Sequence, residues 1–389
     1  MDNKIKVLMI SPYRLIPLNS GGKIRIFEIA RHLSRLNLEV TIIAPFIGRR
    51  SDFPKNHNFK MNSAMPALCL IPFLFNERPF PYQFLISFHP GYRFFIRTYL
   101  ETFDIYQFEH ASFADLIDHL PPEKIIVYNS QNVEYDYVRS ECRSGLVKTL
   151  VSKRIHNLEK KLILRSVKIF ACSEEDKKRF IELYGIEENR ISIIGNGVNQ
   201  DSEIDYFNSE IDLIKKFPGL SQFKKIALFY GSNVEHNRVA VRFIVNKLAP
   251  KLKDECAFII KGLCGREFKR YHRDNVFIDS RVGHIKLDPA ISTVALNPVT
   301  QGSGTSLKAL DYLGHDWPVI STKFGMRGYS DLEPFVTIRP LDEFADAILR
   351  GQRLSPEVSN VLKKYQWGNI ALKAKDIYRS LLERGSQDQ

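Results

Sequence analysis

The chain has 389 residues, which is too many for one compact core and favours two domains of ordinary size. Hydrophobic residues make up 44% and charged residues 26% of the sequence, as in soluble globular proteins. We therefore do not expect a disordered chain. The net charge of +12 is scattered, without a zinc-finger, RRM or helix-turn-helix pattern, and a solvated surface accounts for most of it. We therefore expect phosphate-bearing substrates or anionic lipid as partners, and no nucleic acid.

The cysteine pattern and the apolar stretches indicate where the protein works. The cysteines contain no C-x-x-C pair, which argues against a zinc ribbon or a disulfide framework and fits a reducing compartment. The N-terminal apolar run is too short for the core of a signal peptide. The longest apolar stretch, residues 67–75, falls far short of the ~20 residues that span a bilayer. We expect a cytoplasmic protein, with peripheral contact at the inner face of the membrane left open.

The first elements form a βαβ unit. An apolar, β-branched run predicts a buried strand at residues 4–10, and a loop that ends in Gly21 and Gly22 follows it. Apolar residues at helical spacing predict a helix at 23–37, and residues 38–46 predict the next strand. This order implies a parallel sheet with a right-handed crossover. Free N–H groups at the helix start can hold a phosphate, although an ordinary tight turn explains the two glycines equally well.

The alternation of strands and helices then continues along the chain in two successive series. Further strands of the first series are predicted at residues 104–108, 124–128, 167–172 and 190–194. Residues 198–222 are polar, lack a strand pattern and contain an FPG turn, so we predict a linker there. Strands of the second series are predicted at residues 224–230, 256–261, 275–279, 291–297 and 318–322. Helices are predicted at residues 176–184, 238–252, 306–314 and 367–382. The fold class is therefore α/β, with two Rossmann-like domains.

A second glycine loop carries the strongest chemical signal. Gly302 and Gly304 allow the backbone to approach a ligand closely. The helix that follows directs its positive end at the loop. Lys308 adds a charge near a bound diphosphate, and Asp311, three residues later on the same face, can accept hydrogen bonds from ribose. The alternative is a simple exposed Lys308–Asp311 ion pair. The glycines in front of the helix favour ligand binding.

Other nucleotide and metal motifs are missing from the sequence. The dinucleotide fingerprint G-x-G-x-x-G would need glycine where Leu307 stands, and no P-loop occurs anywhere. The histidines have no metal-ligand spacing, and no DxD motif is present. We therefore predict no metal and no NAD chemistry. Without a metal, backbone amides and Lys308 would have to neutralise a leaving diphosphate.

The segment GSGTSLKALDYLGHDWPVIST resembles the donor-binding motif of the retaining, GT-B-fold glycosyltransferases of family four. KVLMISPY, ACSEEDKKRF and YQWGNIALKAKDIYRSLL are similar to other parts of the family pattern, in the same order. The resemblance implies two facing domains with a nucleotide-sugar between them and a closing helix that crosses back to the first domain. We predict an N-terminal acceptor-side domain at 1–205, a donor-binding domain at 222–365 and the closing helix at 366–389.

The same resemblance implies roles for particular residues. Lys308 and the amides of Gly304 and Thr305 would hold the donor diphosphate, Asp311 would bind the ribose, and His110 would lie beside the transferred sugar. The predicted catalytic residues are thus His110, Lys308 and Asp311. The predicted donor-binding residues are Gly21, Gly22, Arg25, Gly231, Lys261, Ser303, Gly304, Thr305 and Ser306. The implied reaction moves a sugar from a UDP- or GDP-sugar to a glycan, a lipid-linked or a small-molecule acceptor, with no cofactor.

The sequence departs from the family pattern at three points, one of which is the loss of the small residues that follow the carboxylate, where Tyr312 to Asp316 stand. The family's paired carboxylates, eight positions apart, become Ser303 and Asp311. The arginine and lysine that many members place after the first strand of the second domain are missing, with Arg238 and Lys261 as substitutes. Two alternatives therefore stay open. One is a nucleotide-sugar 2-epimerase of the same fold, and the other is a non-catalytic nucleotide-sugar-binding module.

Residues 67–108 are dense in aromatic side chains, with Arg78, Arg93 and Arg97 between them. One interpretation is that the aromatic residues fill the core of the first domain. The other is an amphipathic patch that rests on anionic lipid, with arginines at the headgroups and aromatic rings in the interface. The second interpretation would suit an acceptor carried on a membrane lipid, as in the assembly of bacterial surface polysaccharides.

Overall fold

The computed structural model describes residues 4–16, 18–44, 59–63, 102–141, 145–199, 210–270, 273–280, 284–286, 292–351 and 354–385. The chain forms two compact units, one of Met1–Asn196 with Trp367–Gln389 and one of Gly197–Gln366. No helix in these ranges is both long and apolar enough to cross a membrane. Most of the aromatic segment, from residue 67 to 101, lies outside the described residues.

The first unit contains a seven-stranded parallel sheet with the order β3-β2-β1-β4-β5-β6-β7. Its strands are β1 (Lys6–Ile10), β2 (Glu39–Ala44), β3 (Lys60–Ser63), β4 (Ile105–Phe108), β5 (Ile125–Asn129), β6 (Lys168–Ala171) and β7 (Ile191–Ile193). The central strand β1 is buried from Val7 to Ile10, as its continuous apolar run predicts. The strand order reverses between β1 and β4, and ligands bind at such a switch point in doubly wound sheets.

Within residues 1–196, the helices of the first unit are α1 (Gly21–Arg35), α2 (Glu134–Glu141), α3 (Leu146–Arg165) and α4 (Glu174–Tyr184). The last of these has clear local signals at both ends. Helix α4 starts after Ser173, whose hydroxyl accepts a hydrogen bond from the N–H of Asp176 at 3.1 Å, and it ends at Gly185, with φ of 63°. A 3-10 helix, Ala111–His119, packs against α3.

The second unit contains a six-stranded parallel sheet with the order β11-β10-β9-β13-β14-β15, and β12 pairs with β8. Its strands are β8 (Glu210–Asp212), β9 (Lys225–Tyr230), β10 (Ala257–Lys261), β11 (Val276–Asp279), β12 (His284–Lys286), β13 (Ser292–Asn297), β14 (Val319–Ser321) and β15 (Thr337–Ile338). Its helices are α5 (Leu213–Lys216), α6 (Glu235–Phe243), α7 (Ala249–Lys251), α8 (Leu307–Gly314), α9 (Phe344–Arg350) and α10 (Val358–Leu362).

Two element predictions were wrong. Residues 198–222, predicted as a strand-free linker, contain β8, which is stabilised by its pairing with a distant strand. The helix predicted at 238–252 begins at Glu235 and is interrupted by a π-helical turn, Ile244–Leu248, just before a proline. The closing helix α11 (Trp367–Gly385) packs on α1 in the first unit.

Candidate functional site

In the second unit, the glycine-rich loop joins the carboxyl end of β13 to α8. Gly302 and Gly304 have φ angles of 125° and 64°, a region that other residues rarely adopt. A Cβ atom at Gly302 would lie 3.1 Å from Nδ1 of His236. Gly302 therefore lets the backbone pass close to the His236 ring, and both glycines lie just before the N-terminus of α8, where N–H groups lack helical partners.

Lys308 lies in the first turn of α8 and is half-buried. Its Nζ donates a hydrogen bond to Oδ1 of Asn237 on α6 at 2.8 Å and lies 5.2 Å from the centre of the Phe229 ring. Burial, with a contribution from the positive charge of Arg327, lowers the pKa of Lys308 to about 8. A bound anion would raise this pKa again, so protonation of Lys308 and anion binding favour each other.

Asp311 lies one turn further along α8, with its side chain 46% exposed. Its carboxylate accepts a hydrogen bond from the hydroxyl of Tyr230 at the end of β9 and lies 3.9 Å from Nε2 of His315. The Tyr230 ring packs edge-on against Tyr312, with the centroids 4.6 Å apart. Lys308 and Asp311 thus contact different partners, and the simple ion pair between them does not describe this site.

Arg327 also reaches the glycine loop, and our sequence analysis missed it. Its guanidinium lies 4.3 Å from the centre of the Phe324 ring, and its Nη2 donates to the backbone oxygen of Ser303. The same nitrogen would be 3.6 Å from a Cβ atom at Gly302. The available sequence signal is the run GMRG after a predicted strand, which places an arginine between glycines at a sheet edge.

Gly231 and Lys261 lie at the carboxyl ends of neighbouring strands, where the N–H of Gly231 donates to the backbone oxygen of Lys261 at 3.0 Å. The Lys261 side chain is buried, with Nζ 3.5 Å from Oδ2 of Asp279. Arg238 donates from Nε to Oε2 of Glu235 at 3.0 Å. Both substitutes that we considered for the missing family cations therefore have carboxylate partners in the second unit.

The other predicted loop residues differ in how firmly they are held. Ser306 occupies the N-cap position of α8, and its hydroxyl accepts a hydrogen bond from the buried amide of Asn297 at 3.3 Å. Ser303 contributes its backbone oxygen to Arg327, and Thr305 is half-buried between the two serines. The loop is thus anchored to the sheet at the end that starts the helix.

In the first unit, α1 begins at Gly21, at the carboxyl end of β1. A Cβ atom at Gly22 would overlap with the side-chain amide of Gln131, so a larger residue here would force Gln131 to move. Arg25 is only 1% exposed, and its Nη2 donates to the backbone oxygen of Ile194 at 2.6 Å. This arginine, a predicted donor-binding residue, is therefore bound by the backbone of its own unit.

A buried polar network extends from Arg25 under the carboxyl edge of the sheet. Arg25 donates to Oδ1 of Asn129 at 2.7 Å, and Asn129 donates to Oε2 of Glu109 at 2.8 Å. Gln107 donates to Oε1 of Glu109 at 2.5 Å and accepts a hydrogen bond from the Tyr378 hydroxyl of α11. Burial raises the pKa of Glu109 to about 7. The sequence analysis singled out none of the network residues Asn129, Glu109, Gln107 and Tyr378.

His110 precedes the 3-10 helix and is almost completely buried. Its Nδ1 accepts a hydrogen bond from the N–H of Ser112 at 3.0 Å, so the ring proton belongs on Nε2. Nε2 lies 3.0 Å from Oε2 of Glu134, which is equally buried. Both ring nitrogens are therefore engaged within the first unit, with Glu134 as a partner that the sequence did not reveal.

Glu159 of α3 fixes the start of the helix that carries Glu134. Its carboxylate accepts hydrogen bonds from the N–H groups of Glu134 at 2.9 Å and Tyr135 at 3.2 Å. The hydroxyls of Tyr128 and Tyr184 donate to the same carboxylate at 2.9 and 2.6 Å. Burial, together with the nearby Glu134 charge, raises the pKa of Glu159 to about 7.

The cysteines and carboxylates in the described part of the chain form no metal site, since no group of three or more suitable side chains comes together there. Cys172, Cys256 and Cys264 are buried free thiols. Burial raises the pKa of Cys172 to about 11 and that of both other thiols to about 12. These three cysteines are therefore protonated at neutral pH and act as small apolar core residues.

Comparison with known families gives one match. Residues 19–202 match the model of a family described as Glycosyltransferase Family 4. This stretch begins just before α1 and includes His110, Glu134 and Glu159. No curated protein sequence matches the chain. The resemblance to family-four glycosyltransferases that the motifs indicate is confirmed.

Solved structures share the fold at low sequence identity. Sucrose-phosphate synthase from Thermosynechococcus elongatus has a TM-score of 0.68 at 13% identity, covering 98% of this chain and 100% of that one. Anabaena HepE, in complex with UDP and glucose, has a TM-score of 0.59 at 13% identity, covering 98% and 100%. The α,α-trehalose 6-phosphate synthase of Burkholderia multivorans has a TM-score of 0.62 at 11% identity, covering 99% and 98%. The predicted GT-B fold, with its two Rossmann-like domains, is confirmed.

Proposed function

We propose that this chain, a glycosyltransferase of the GT-B fold whose residues 19–202 match the Glycosyltransferase Family 4 model, uses a UDP- or GDP-sugar as donor. The acceptor in this proposal is a glycan, a lipid-linked or a small molecule. Transfer proceeds with retention of anomeric configuration, without a metal or a cofactor. The work takes place in the cytoplasm, in keeping with the free buried thiols.

The observation that carries this proposal is the positive charge around Gly302 and Gly304. Lys308 lies in the first turn of α8, and Arg327 donates to the backbone of the same loop. The N-terminus of α8 adds the partial positive charge of a helix end. A departing nucleoside diphosphate gains negative charge in the transition state, so fixed positive groups here would stabilise it. Without a bound anion, these like charges oppose one another.

Arg327 takes the place of the missing family cations in this proposal. Many family members carry an arginine and a lysine after the first strand of the second domain, where this chain has GSNVEHNR. Arg238, within that segment, is paired with Glu235, whereas Arg327 contacts Ser303 in the glycine loop. The guanidinium can offer two N–H groups to one phosphate, which suits a diphosphate ligand.

We assign the ribose to Asp311, supported by Tyr230. The hydrogen bond from the Tyr230 hydroxyl holds one carboxylate oxygen of Asp311 and leaves accepting capacity for ribose hydroxyls. Aspartate is shorter than the glutamate that is usual in the family, so its carboxylate must be well oriented to reach the ribose. A fixed carboxylate also loses less conformational entropy when the ligand binds.

His110 remains the proposed catalytic residue of the first unit, and the start of α1 at Gly21 and Gly22 remains the proposed phosphate contact there. Since Ser112 occupies Nδ1, only Nε2 is available for a sugar hydroxyl, and this contact requires exchange of the Glu134 partner. A histidine held in one tautomer presents a defined donor, so Glu134 and Ser112 would prepare His110 for the sugar.

HepE has been solved with UDP and with UDP-glucose, which makes uridine donors the first to test. The protein is incubated with UDP-glucose or GDP-mannose, with and without EDTA, and nucleoside diphosphate release is measured. We expect release from one donor, unchanged by EDTA and lost in Lys308→Met but not in the exposed control Lys253→Met. Epimer formation without release would instead indicate a 2-epimerase. Binding without turnover of any donor would indicate a binding module.

A further inference from the structure

Helix α3 presents a continuous stripe of residues to solvent. Six exposed positions, spaced alternately by four and three residues, fall within ~40° of one line along the helix. We call them the α3 stripe: Leu146, Leu150, Lys153, Asn157, Lys160 and Leu164. The three leucines are 83%, 67% and 59% exposed, respectively. The opposite face packs into the core through residues such as Ile155 and Leu162, so the stripe is not needed to hold the helix in place.

The exposed charged residues of α3 are all basic. Its single acidic residue, Glu159, is buried and bound by the tyrosines described above. Asp115 pairs with the basic residues at the edge of the stripe, Arg154 and Lys161. Lys153 and Lys160 have no carboxylate within ion-pair distance in the described ranges. The α3 stripe therefore combines exposed leucines with lysines whose charges are unbalanced.

We infer that the α3 stripe is a docking surface for an anionic lipid layer. A helix lying in the plane of a membrane buries an apolar face among the acyl chains and headgroups, while its lysines meet anionic lipid. Leu146, Leu150 and Leu164 supply the apolar contacts. Lys153 and Lys160 lie between them, and long lysine side chains can extend past buried leucines to the headgroups. The net charge of +12 favours the same partner.

A second copy of the chain is the competing occupant, because alternating spacings of three and four also occur in coiled coils. The centre of the stripe, however, consists of Lys153, Asn157 and Lys160, where a coiled-coil seam needs apolar residues. Pairing of two copies would also bring together helices of the same charge sign. An anionic lipid surface complements both the leucines and the lysines.

The inference does not depend on the proposed reaction, because vesicle binding is measured without substrate. The full chain is sedimented with phosphatidylcholine vesicles and with vesicles that also contain phosphatidylserine, at low and high salt. We expect binding to the anionic vesicles only, weakened by salt. Lys153→Glu with Lys160→Glu should weaken it by on the order of 10²-fold. Lys251→Glu with Lys253→Glu, which changes net charge equally at exposed positions of the second unit, should leave it nearly unchanged.

The apolar part of the surface has its own variant pair. Leu150→Asn with Leu164→Asn should weaken vesicle binding, whereas Leu349→Asn with Leu372→Asn, at exposed leucines elsewhere, should not. Circular dichroism confirms that each variant is folded. The inference is overturned if the wild-type protein stays in the supernatant, or if the control pairs weaken binding as much as the stripe variants. It is also overturned if the wild type is a dimer that the stripe variants convert to monomers.

Discussion

The side chain of Glu159 accepts a hydrogen bond from the backbone N–H of Glu134 at 2.9 Å. Because this bond lies at the first turn of α2, Glu159 sets where the helix begins and therefore where the Glu134 carboxylate lies. That carboxylate is 3.0 Å from Nε2 of His110. The buried carboxylate of α3 thus positions a histidine that it does not touch.

Glu134 is expected to act on catalysis through His110. Glu134→Gln keeps an acceptor for Nε2 and should retain more activity than Glu134→Ala, which should lower kcat by on the order of 10²-fold. The KM for the donor should change little, because the side chain orients the reacting group rather than binding the nucleotide. Steady-state kinetics of sugar transfer give both constants. A change in KM alone, with kcat intact, would exclude this role.

Affinity for UDP is expected to fall as the pH rises through about 8. Burial holds the pKa of Lys308 at about 8, so this lysine loses its charge well below the usual value for lysine, 10.5. Deprotonation removes a favourable charge from the diphosphate site, and affinity drops by up to ~10-fold per pH unit between the pKa of the free protein, about 8, and the higher pKa of the complex. Calorimetric titrations across this range measure the effect. Lys308→Arg stays charged and should show a flatter profile, whereas matching profiles would remove Lys308 from the site.

Arg327 is expected to distinguish nucleotides by their phosphates. Arg327→Met should weaken UDP binding by on the order of 10- to 100-fold, because a charge-assisted contact to phosphate is lost. UMP binding should change less, since a monophosphate lacks the terminal group. Arg242→Met, at an exposed arginine of the same unit, serves as the control. Isothermal titration of both nucleotides tests this, and an equal loss for UMP and UDP would place Arg327 away from the terminal phosphate.

Glu109 is expected to make stability depend on pH. Burial raises its pKa in the folded protein to about 7 from 4.5, so the folded state holds a proton that the unfolded chain releases near pH 4.5. The bound proton adds at most ~3 kcal/mol to the free energy of unfolding. This stabilisation is present in full below pH 4.5 and is lost as the pH rises towards 7. Glu109→Gln should flatten this dependence in urea unfolding at about pH 5 and about pH 7. A wild-type slope retained in the variant would mean that Glu109 is already charged when folded.

Much of the fold was predictable because it rests on local patterns. Apolar β-branched runs mark nearly all the long strands, and Gly185 ends α4 as predicted. The glycine loop at Gly302 and Gly304 was also evident, since a positive φ demands glycine whatever the surroundings. Short strands such as β8 escaped prediction, because three residues carry too little pattern and pairing with a distant strand decides their structure.

The partners of the site residues could not be predicted in the same way. Tyr230, Asn237 and Arg327 come from three different parts of the second unit, and only the packed sheet brings them to the glycine loop and α8. Likewise, Glu134 is a helical residue with no distinguishing neighbours in the sequence. Side chains that work through tertiary contacts carry no periodicity, so sequence reasoning found the loop and not the residues around it.

The closing helix has a consequence for how the chain folds during synthesis. The first unit needs α11, whose Tyr378 hydroxyl donates to Gln107 and whose Lys375 donates to the backbone oxygen of Leu36 at 3.0 Å. All of Gly197–Gln366 emerges from the ribosome before this helix does. The second unit can therefore complete its fold first, while the larger sheet that began the chain waits for its last helical partner. The part of the chain that is made first thus belongs to the unit that can be completed only when the last helix has been made.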